Sequence, residues 1–425
     1  MASHPGNPTA FDGPAGKPQA IAWSFADGRR ASGLTLPGMN RAQPPKVLIV
    51  GGGVGALEAA IALGDLAGGK ARVEICAGRG EFVYRPFAVG EPYGASRVLR
   101  YDLADLAERC GAELRLDNIA SVDPARRCAT THDGEEIPYD YIVVSPGTRL
   151  LWSVPGAVTF WGVADEGEML EIVGRLREGR LRRLIFTMPG GHGWALPAYE
   201  LALLAAGELS RHGIAGTRIT VVTPEDGPLL IFGRRASEQV AELLADHRVA
   251  VLTGTHPVKY ENGALSVVPG EPIEADAVVS LPRLEGRHIE GLPYDSGGFI
   301  PVDDHARIEG LSNAFAVGDV TNFPIKQGGI ATQQADVAAE AIAADLGCDA
   351  EANPLDPVLR GVLWTGAKPR YLFGWLGGGH GETSVASERP PWPIDNPSKL
   401  IGRYLTPFLA DLQASSRAEP SSAAG

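Results

Sequence analysis

Residues 46–63 read KVLIVGGGVGALEAAIAL, and this stretch decides the fold. An apolar, β-branched run predicts a strand, three glycines follow it, and the apolar spacing after them is helical. Gly51 and Gly53 fill the first two positions of the pattern G-x-G-x-x-G/A, and Ala56 fills the third. The first glycine permits a tight turn, the second lets backbone approach a pyrophosphate, and the small third residue allows close helix–strand packing. The stretch predicts a dinucleotide-binding turn, with Val54 and Gly55 at the phosphate-binding start of the helix.

The strand–turn–helix pattern restarts twice further along the chain, at residues 182–191 (RRLIFTMPGG) and at residues 312–335. Two strand–turn–helix–strand blocks interleaved with antiparallel material indicate an α/β protein with two doubly wound, Rossmann-like sheets. The predicted parts are a disordered extension at 1–44, the first dinucleotide-binding domain at 45–150 and 286–346, a second such domain at 151–285, a C-terminal region at 347–412 and a disordered tail at 413–425.

Composition excludes several classes of function. The 38 basic and 51 acidic residues of this 425-residue chain give a net charge of −13 with no basic run, so nucleic acid is not an expected partner. The four cysteines show no metal-binding or disulfide spacing, so we expect reduced thiols and no metal. Neither a secretory signal nor an apolar run of 18 residues is present. A cytoplasmic protein is predicted.

Two further motifs place backbone near the first turn. In residues 139–149 (YDYIVVSPGTR) a strand ends at Gly147, which lets the chain pass close to a bound dinucleotide, although any strand and turn could look the same. In residues 312–335 (SNAFAVGDVTNFPIKQGGIATQQA) a strand delivers Gly318 and Asp319 to a turn. A carboxylate there can accept hydrogen bonds from ribityl hydroxyls. By itself an aspartate after a glycine is more simply a helix cap, but together with the first motif it favours a flavin.

The chain resembles the flavoproteins with two dinucleotide-binding domains over about residues 46–345. The resemblance rests on GGGVGALEAA, FVYRPFAVGEPYG, YDYIVVSPGT, PAYELA and AFAVGD…PIKQGGIATQQA. Within that family the chain is most similar to the branch of sulfide:quinone oxidoreductases, flavocytochrome c sulfide dehydrogenase flavoproteins and type II NADH dehydrogenases. The resemblance implies FAD as cofactor, with contacts from Gly51, Gly53, Gly147 and Asp319. It also implies that Lys326, Gly328 and Gly329 lie near the isoalloxazine and the acceptor pocket.

The same resemblance suggests two candidates for a catalytic role and the mode of flavin attachment. Lys326 is one candidate. Gln333 is the other, because with Gln334 it partly matches the glutamine motif by which type II NADH dehydrogenases meet quinone, although both could be exposed helix residues. FVYRPFAVGEPYG contains no cysteine or histidine at the place where covalently attached relatives carry the flavin. We therefore expect noncovalent FAD.

Departures from the family pattern narrow the function. Sulfide-oxidising members carry a cysteine five residues before a Tyr-Glu pair, and here Trp194 stands at that distance from Tyr199. No cysteine lies between Cys128 and Cys348, so a relay of two facing thiolates is disfavoured. The acid that normally ends the second strand is also missing, since Glu74 precedes the expected position by three residues.

The second glycine turn is degraded. In MPGGHGWALP, Gly191 and Gly193 form G-x-G, but Leu196 stands where a small residue belongs, and Glu225 follows the next strand. Binding of NAD(P)H and a scaffold turn that binds no nicotinamide are equal alternatives. His192 in this turn could polarise a substrate or simply be solvated.

Residues 398–413 (SKLIGRYLTPFLADLQ) predict an amphipathic helix. Docking of its apolar face onto the body of the protein is favoured, and a peripheral position at the inner face of the membrane is the alternative.

The leading hypothesis is an FAD-dependent oxidoreductase that passes two electrons from NAD(P)H or a small molecule to a quinone-like or small-molecule acceptor. The alternatives are a flavin-binding scaffold or sensor with little turnover and, less favoured, a sulfide-oxidising flavoprotein. The sequence gives no oligomeric state.

Overall fold

The computed structural model describes residues 43–162, 167–191, 193–376, 385–392 and 398–418. The first block of the chain forms a strand–helix–strand unit with antiparallel additions. Its elements are β1 (Lys46–Val50), α1 (Val54–Ala67), β2 (Arg72–Ala77), β3 (Glu81–Tyr84), β4 (Leu99–Asp102), α2 (Leu103–Arg109), β5 (Glu113–Leu116), β6 (Ile119–Asp123), β7 (Cys128–Thr131), β8 (Glu136–Pro138) and β9 (Tyr141–Val144).

The second block repeats the pattern. Its elements are β10 (Thr148–Leu151), β11 (Val158–Thr159), α3 (Gly167–Arg177), β12 (Arg183–Thr187), α4 (Leu196–Arg211), β13 (Arg218–Val222), α5 (Arg234–Asp246), β14 (Val249–Leu252), β15 (His256–Glu261), β16 (Ala264–Val268), β17 (Ile273–Glu274), β18 (Ala277–Ser280) and β19 (Arg283–Gly286). A parallel five-stranded sheet forms in the order β11-β18-β12-β13-β14. The antiparallel pair β10 and β19 carries the chain into and out of this domain.

The last block returns to the first domain. Its elements are β20 (Ala314–Ala316), α6 (Gly328–Asp345), β21 (Val358–Leu363), β22 (Arg370–Trp375), β23 (Val385–Ser387) and α7 (Leu405–Ala418). β20 pairs with β9 in parallel and completes a sheet in the order β20-β9-β1-β2-β5. The predicted α/β class, with two doubly wound sheets of which the first is discontinuous in sequence, is confirmed. The strands β21, β22 and β23 form a separate antiparallel sheet.

The first sheet is covered on both faces, as its apolar strands require. Val47, Leu48 and Ile49 of β1 have no exposed surface. On one face α1 and α6 pack against each other through fully buried alanines, among them Ala59 and Ala338. The small side chains let the two helices approach closely. Each helix, held in this way, supports the turn that precedes it.

The strand order reverses at β1 in the first sheet and at β12 in the second. In open parallel sheets, ligands bind in the crevice at this switch point, outside the carboxyl ends of the strands. The turn after β1 depends on Gly51, whose φ is +120° and whose added Cβ would lie 2.2 Å from the carbonyl oxygen of Ser145. Any side chain there would displace β9 from β1.

Residues 101 and 102 close β4, and the Asp102 carboxylate caps α2 by accepting the backbone N–H of Ala104 at 2.7 Å. One helix boundary differs from the sequence prediction. The C-terminal helix begins at Leu405 rather than 398, which puts Pro407 in the first turn, where proline costs no hydrogen bond. It runs to Ala418, so the disordered tail predicted at 413–425 is wrong for 413–418. Residues 1–42, His192 and 419–425 lie outside the described residues.

The apolar face of α7 packs against the body of the protein, which is the arrangement that the sequence favours. Leu400, Leu405 and Leu409 are at most 5% exposed and belong to the core beneath α1 and α6. Tyr404 and Phe408 pack against the same core. In the described part of the chain, none of the helices has the length and hydropathy needed to cross a membrane.

Glu74 of β2 has a structural role. Its carboxylate pairs with Lys46 Nζ at 2.5 Å and with Arg115 Nε at 2.7 Å, and so joins three strands of the first sheet. Burial opposes the ionisation of Glu74, but these two cations outweigh it and hold its pKa below the ordinary value.

We expect Glu74→Gln to lower the free energy of unfolding by about 1.5–3 kcal/mol at pH 7, because it removes charge-assisted hydrogen bonds inside the sheet. A carboxyl group whose pKa is lowered in the folded state stabilises the fold at pH values above its ordinary pKa, and this contribution is lost as the pH falls. The loss of unfolding free energy in Glu74→Gln should therefore shrink as the pH falls below 4.5. Urea denaturation at pH 7 and at acidic pH measures both effects. Glu136→Gln, in the exposed pair with Arg126, is the control and should change stability little; equal losses in the two variants would contradict the prediction.

A candidate active site between two glycine turns

A cavity of about 1410 Å³, here called the central cavity, opens at the carboxyl ends of both sheets. The turn after β1 and the turn after β12 line opposite parts of it, and the loop before α6 lies between them. The C-terminal region closes a third side through Val362, Lys399 and Leu400. All parts of the fold therefore contribute to one site.

The structure brings most of the predicted cofactor residues together. The following lie in the wall of the central cavity: Gly51, Gly53, Val54, Gly55, Gly147, Gly318, Asp319, Lys326 and Gly328. Three of the predicted residues are outside this wall. Ala56 is fully buried beneath the turn, and Gly329 lies within the first turn of α6. The Gln333 amide is bound to the backbone of Val358, donating at 2.9 Å and accepting at 2.8 Å, which joins α6 to β21.

The start of α1 is suited to bind phosphate. Gly53 occupies the N-cap position and offers no side-chain cap, so the first N–H groups of the helix point towards the cavity unsatisfied by a side chain. An anion can accept these hydrogen bonds and is favoured by the helix dipole.

Asp319 lies in the cavity wall in a short 3₁₀ turn, Gly318–Val320. The interpretation of Asp319 as a helix cap is wrong, because α6 begins at Gly328 and is capped by the side chain of Gln327, which accepts the N–H of Ile330 at 3.0 Å. Burial raises the pKa of Asp319, and the nearby charges of Lys326 and Arg85 oppose that rise. The carboxyl group faces the cavity and can accept hydrogen bonds from a ligand's hydroxyls.

The turn that holds Asp319 is braced by Gln334. Its Oε1 accepts the N–H of Gly318 at 2.7 Å, and its Nε2 donates to Thr321 at 3.2 Å. Gln334 is 1% exposed, so the view of this residue as an exposed helix position is wrong.

Lys326 is buried, and its ammonium group is neutralised only in part. It donates to the carbonyl of Thr321 and lies 3.8 Å from the centre of the Phe299 ring. Burial lowers the pKa of Lys326 to about 8, against the opposing effect of Asp319 and Asp295. An amine with such a pKa can donate or accept a proton near neutral pH.

The loop of Lys326 contacts the second glycine turn directly. Gly193 donates to the carbonyl of Pro324 at 3.3 Å and accepts the N–H of Lys326 at 3.2 Å. This bridge between Gly193 and Ile325 holds the two halves of the central cavity together. A ligand on the second turn would therefore lie beside the Lys326 loop.

Four arginines in the cavity wall were missed by the sequence analysis: Arg79, Arg85, Arg149 and Arg287. Burial and the proximity of Arg79 lower the pKa of Arg85 and also that of Arg287. Arg149 pairs with Glu285 at 3.4 Å. Clustered guanidinium groups suit a pyrophosphate, which they can bind in bidentate geometry. Arg85 stands inside FVYRPFAVGEPYG and could have been chosen from that motif.

An acidic residue follows the strand after the second turn, just beyond the position where a ribose would be read. Glu225 lines the cavity and accepts hydrogen bonds from the Tyr199 hydroxyl at 2.6 Å and from Thr223 at 3.1 Å. Burial raises the pKa of Glu225, and these two donors oppose the rise. Leu196, at the third motif position, is 3% exposed and packs in the core of the second domain.

A buried ion pair forms the third side of the cavity. Lys399 Nζ lies 2.6 and 2.8 Å from the carboxylate oxygens of Glu200, and the two side chains are 5% and 1% exposed. Trp364 donates its backbone N–H to Glu200 at 2.9 Å, and its ring centre is 4.3 Å from Lys399 Nζ. Burial lowers the pKa of Lys399 and raises that of Glu200, so each residue depends on the other for its charge. Glu200 lies within the motif PAYELA, but nothing in that motif singles it out.

The cysteines do not form a facing pair in the described part of the chain. Cys76 touches the central cavity at the end of β2, and burial raises its pKa to about 11. Cys110, Cys128 and Cys348 lie outside the cavity wall. Trp194 lines the cavity and packs against Phe232, with ring centres 5.8 Å apart. The geometry offers no thiolate relay among these residues.

Comparison with known proteins identifies the family. Residues 45–341 match the family described as pyridine nucleotide-disulphide oxidoreductase. A sulfide-quinone reductase of Aquifex aeolicus is 26% identical over 302 residues, covering 65% of this chain and 69% of the relative. An NADH dehydrogenase-like protein of Mycobacterium tuberculosis is 25% identical over 305 residues, covering 65% and 72%.

Solved structures agree in fold. The sulfide:quinone oxidoreductase of Aquifex aeolicus superposes with a TM-score of 0.69 at 20% identity, over 77% of this chain and 83% of that one. A ferredoxin reductase from Rhodopseudomonas palustris gives a TM-score of 0.58 at 18% identity, over 79% and 83%.

We predict that Asp319→Ala loses flavin more readily than the unchanged protein. The substitution removes a charge-assisted hydrogen bond worth about 1.5–3 kcal/mol, or about ten- to a hundredfold in affinity. Absorbance of the flavin retained after dialysis measures the loss. Asp349→Ala, the same change at an exposed position after α6, is the control and should keep its flavin. Full retention by Asp319→Ala would mean that this carboxylate does not bind the cofactor.

Proposed function

The chain belongs to the pyridine nucleotide-disulphide oxidoreductase family and is an FAD-dependent oxidoreductase, and from that premise we propose that it transfers two electrons from NADH to a quinone. The observation that carries the proposal is the single central cavity, which joins both glycine turns and the Lys399–Glu200 pair. Transfer of electrons from a donor through a flavin to an acceptor needs one ligand site beside each face of the flavin.

The residues of the first domain fit FAD. The α1 N-terminus and the cavity arginines would bind the pyrophosphate, Asp319 would accept ribityl hydroxyls, and the loop of Lys326 would lie at the isoalloxazine. When bound, FAD accepts a hydride and passes its two electrons to an acceptor. Lys326, with its pKa lowered to about 8, is placed to hold or release a proton beside the ring.

The second domain supports NADH as the donor. Gly190, Gly191 and Gly193 leave the cavity wall open where a dinucleotide backbone would pass. The Glu225 carboxylate after β13 would accept the ribose hydroxyls of NADH and would repel the 2′-phosphate of NADPH. The name of the Mycobacterium tuberculosis relative, an NADH dehydrogenase-like protein, agrees with this donor.

The C-terminal side of the cavity supports a quinone as the acceptor. Pro197, Val362 and Leu400 give this part of the wall apolar surface. Reduction of a quinone to a quinol takes two protons as well as two electrons, and Lys399 with Glu200 can deliver a proton there. The matched sulfide-quinone reductase is named for the same class of acceptor. Oxidation of sulfide is not supported, because the cavity holds no pair of facing thiols in the described residues.

For the donor, we expect NADH to reduce the bound FAD at least about tenfold faster than NADPH, because a buried carboxylate disfavours the additional 2′-phosphate of NADPH. Glu225→Gln should narrow this preference while keeping an acceptor for the Tyr199 hydroxyl. Anaerobic stopped-flow absorbance with NADH, NADPH and sulfide measures the rates.

Glu242→Gln, an exposed position of α5, is the matched control and should keep the preference. Reduction by sulfide alone would overturn NADH as the donor. No reduction by any of the three would favour a flavin-binding scaffold or sensor.

For the acceptor, we expect Lys399→Met to slow reoxidation of the reduced flavin by a soluble quinone by about a hundredfold, the loss typical of a general acid. Reduction by NADH should stay within about twofold, because the donor side is separate. Lys259→Met, in the exposed pair with Glu261, is the control. Unchanged reoxidation in folded, FAD-loaded Lys399→Met would contradict a role for this amine.

A further inference from the structure

Two carboxyl groups, Glu58 of α1 and Asp336 of α6, face each other where these helices pack. They are called here the carboxyl pair. Glu58 is fully buried, and Asp336 is hydrogen-bonded to it. Neither side chain lines the central cavity, and the proposed function does not use them.

Glu58 binds the chain at the start of α7. Its two oxygens accept the backbone N–H groups of Tyr404 at 2.8 Å and of Leu405 at 2.7 Å. An added Cβ at Gly402 would lie 2.6 Å from Glu58 Oε2, so the backbone passes directly over the carboxylate. The acid on α1 thus satisfies the N–H groups that the first turn of α7 leaves open.

The charged surroundings do not balance two negative charges. Arg403 faces the pair, but it is 54% exposed and already binds Glu340 of α6 at 2.9 Å. The other titratable groups facing the pair from the packed elements are the Tyr404 phenol and, beyond it, Asp65 of α1. Two carboxyl groups in contact away from water do not both carry a charge at neutral pH. Burial and then the charge of Glu58 raise the pKa of Asp336 to about 9, and burial also raises that of Glu58.

The segment that carries Lys399 is anchored at both ends. Upstream, the Tyr84 hydroxyl lies 2.6 Å from Ser398 Oγ and accepts the N–H of Leu400 at 2.9 Å. Downstream, Glu58 binds Tyr404 and Leu405. Lys399 reaches Glu200 from between these two anchors.

We propose that the carboxyl pair shares one proton at neutral pH and, in that state, holds residues 398–405 against the first domain, which positions Lys399 in the cavity wall. Loss of the proton at alkaline pH puts two negative charges in contact and releases the downstream anchor. Glu58 and Asp336 are positioning residues and touch neither cofactor nor substrate.

The sign of the pH effect follows from proton binding. Folded Asp336 keeps its proton to about pH 9, whereas in the unfolded chain it loses it near 3.8. The folded state therefore binds more protons between these values, and its stability falls as the pH rises through this window. Asp336→Asn carries a neutral side chain of the same shape, so its stability advantage should grow with pH up to about 9 and then level off.

Trypsin cleavage after Arg403 tests the proposal on the full-length, FAD-loaded protein between pH 7.5 and 10. Because release depends on the loss of one proton, the cleavage rate of the unchanged protein relative to that of Asp336→Asn should rise by up to about tenfold per pH unit between pH 7.5 and 9 and should level off above pH 9. Asp345→Asn, the same change at a more exposed position of α6, should behave like the unchanged protein. Glu58→Gln provides a second variant that should also lack the rise.

A ratio that stays constant over this pH range, or an equal rise in Asp336→Asn, would overturn the proposal. The effect on Lys399 rests on the proposed function and has a separate readout: quinone reoxidation should fall with the same midpoint as the rise in cleavage. If cleavage rises but reoxidation does not fall, the role assigned to Lys399 fails while the carboxyl pair still holds the segment.

Discussion

The close approach of Gly51 to the carbonyl of Ser145 constrains much of the remaining structure. It lets β1 and β9 run side by side to their carboxyl ends, so that the turns after both strands open into one crevice. α1 then starts at the crevice with its N–H groups directed into it. α6 must pack on α1 to cover the sheet, and the loop before α6 brings Asp319 and Lys326 to the same place. A side chain at position 51 would disturb each of these arrangements.

The distribution of charge explains how an acidic chain can bind an anionic dinucleotide. The net charge is −13, yet the central cavity collects four arginines and two lysines along its wall. Low-dielectric walls strengthen the field of such groups, so the cavity attracts phosphate although the whole protein repels it. Three of the five acids in the wall, Asp319, Glu200 and Glu225, have raised pKa values because burial disfavours their charge.

The sequence predicted what depends on local pattern. The glycine turn of residues 51–56, the strand before it and the helix after it are encoded within a few residues of one another, and the family resemblance identified the cofactor. Pairings over long distances could not be read in this way. Glu200 and Lys399 are 199 positions apart, and only the folding of the C-terminal sheet onto α4 brings them together. Gln333 matched a motif, but its actual partner, Val358, was decided by the position of β21.

The C-terminal region completes the site and is more than an appendage to the two sheets. Val362 of β21 and the segment around Lys399 form a wall that neither sheet can supply, and both are held by groups of the first two domains. Gln327 and Gln333 bind the backbone of β21, Glu200 binds Lys399, and Glu58 binds the start of α7. These contacts link the wall to α6, α4 and α1, the same helices whose N-termini face the central cavity. Each of these helices follows a glycine turn or the flavin loop, and each also contacts the C-terminal wall. A shift of one helix therefore moves the turn or loop and the C-terminal wall together.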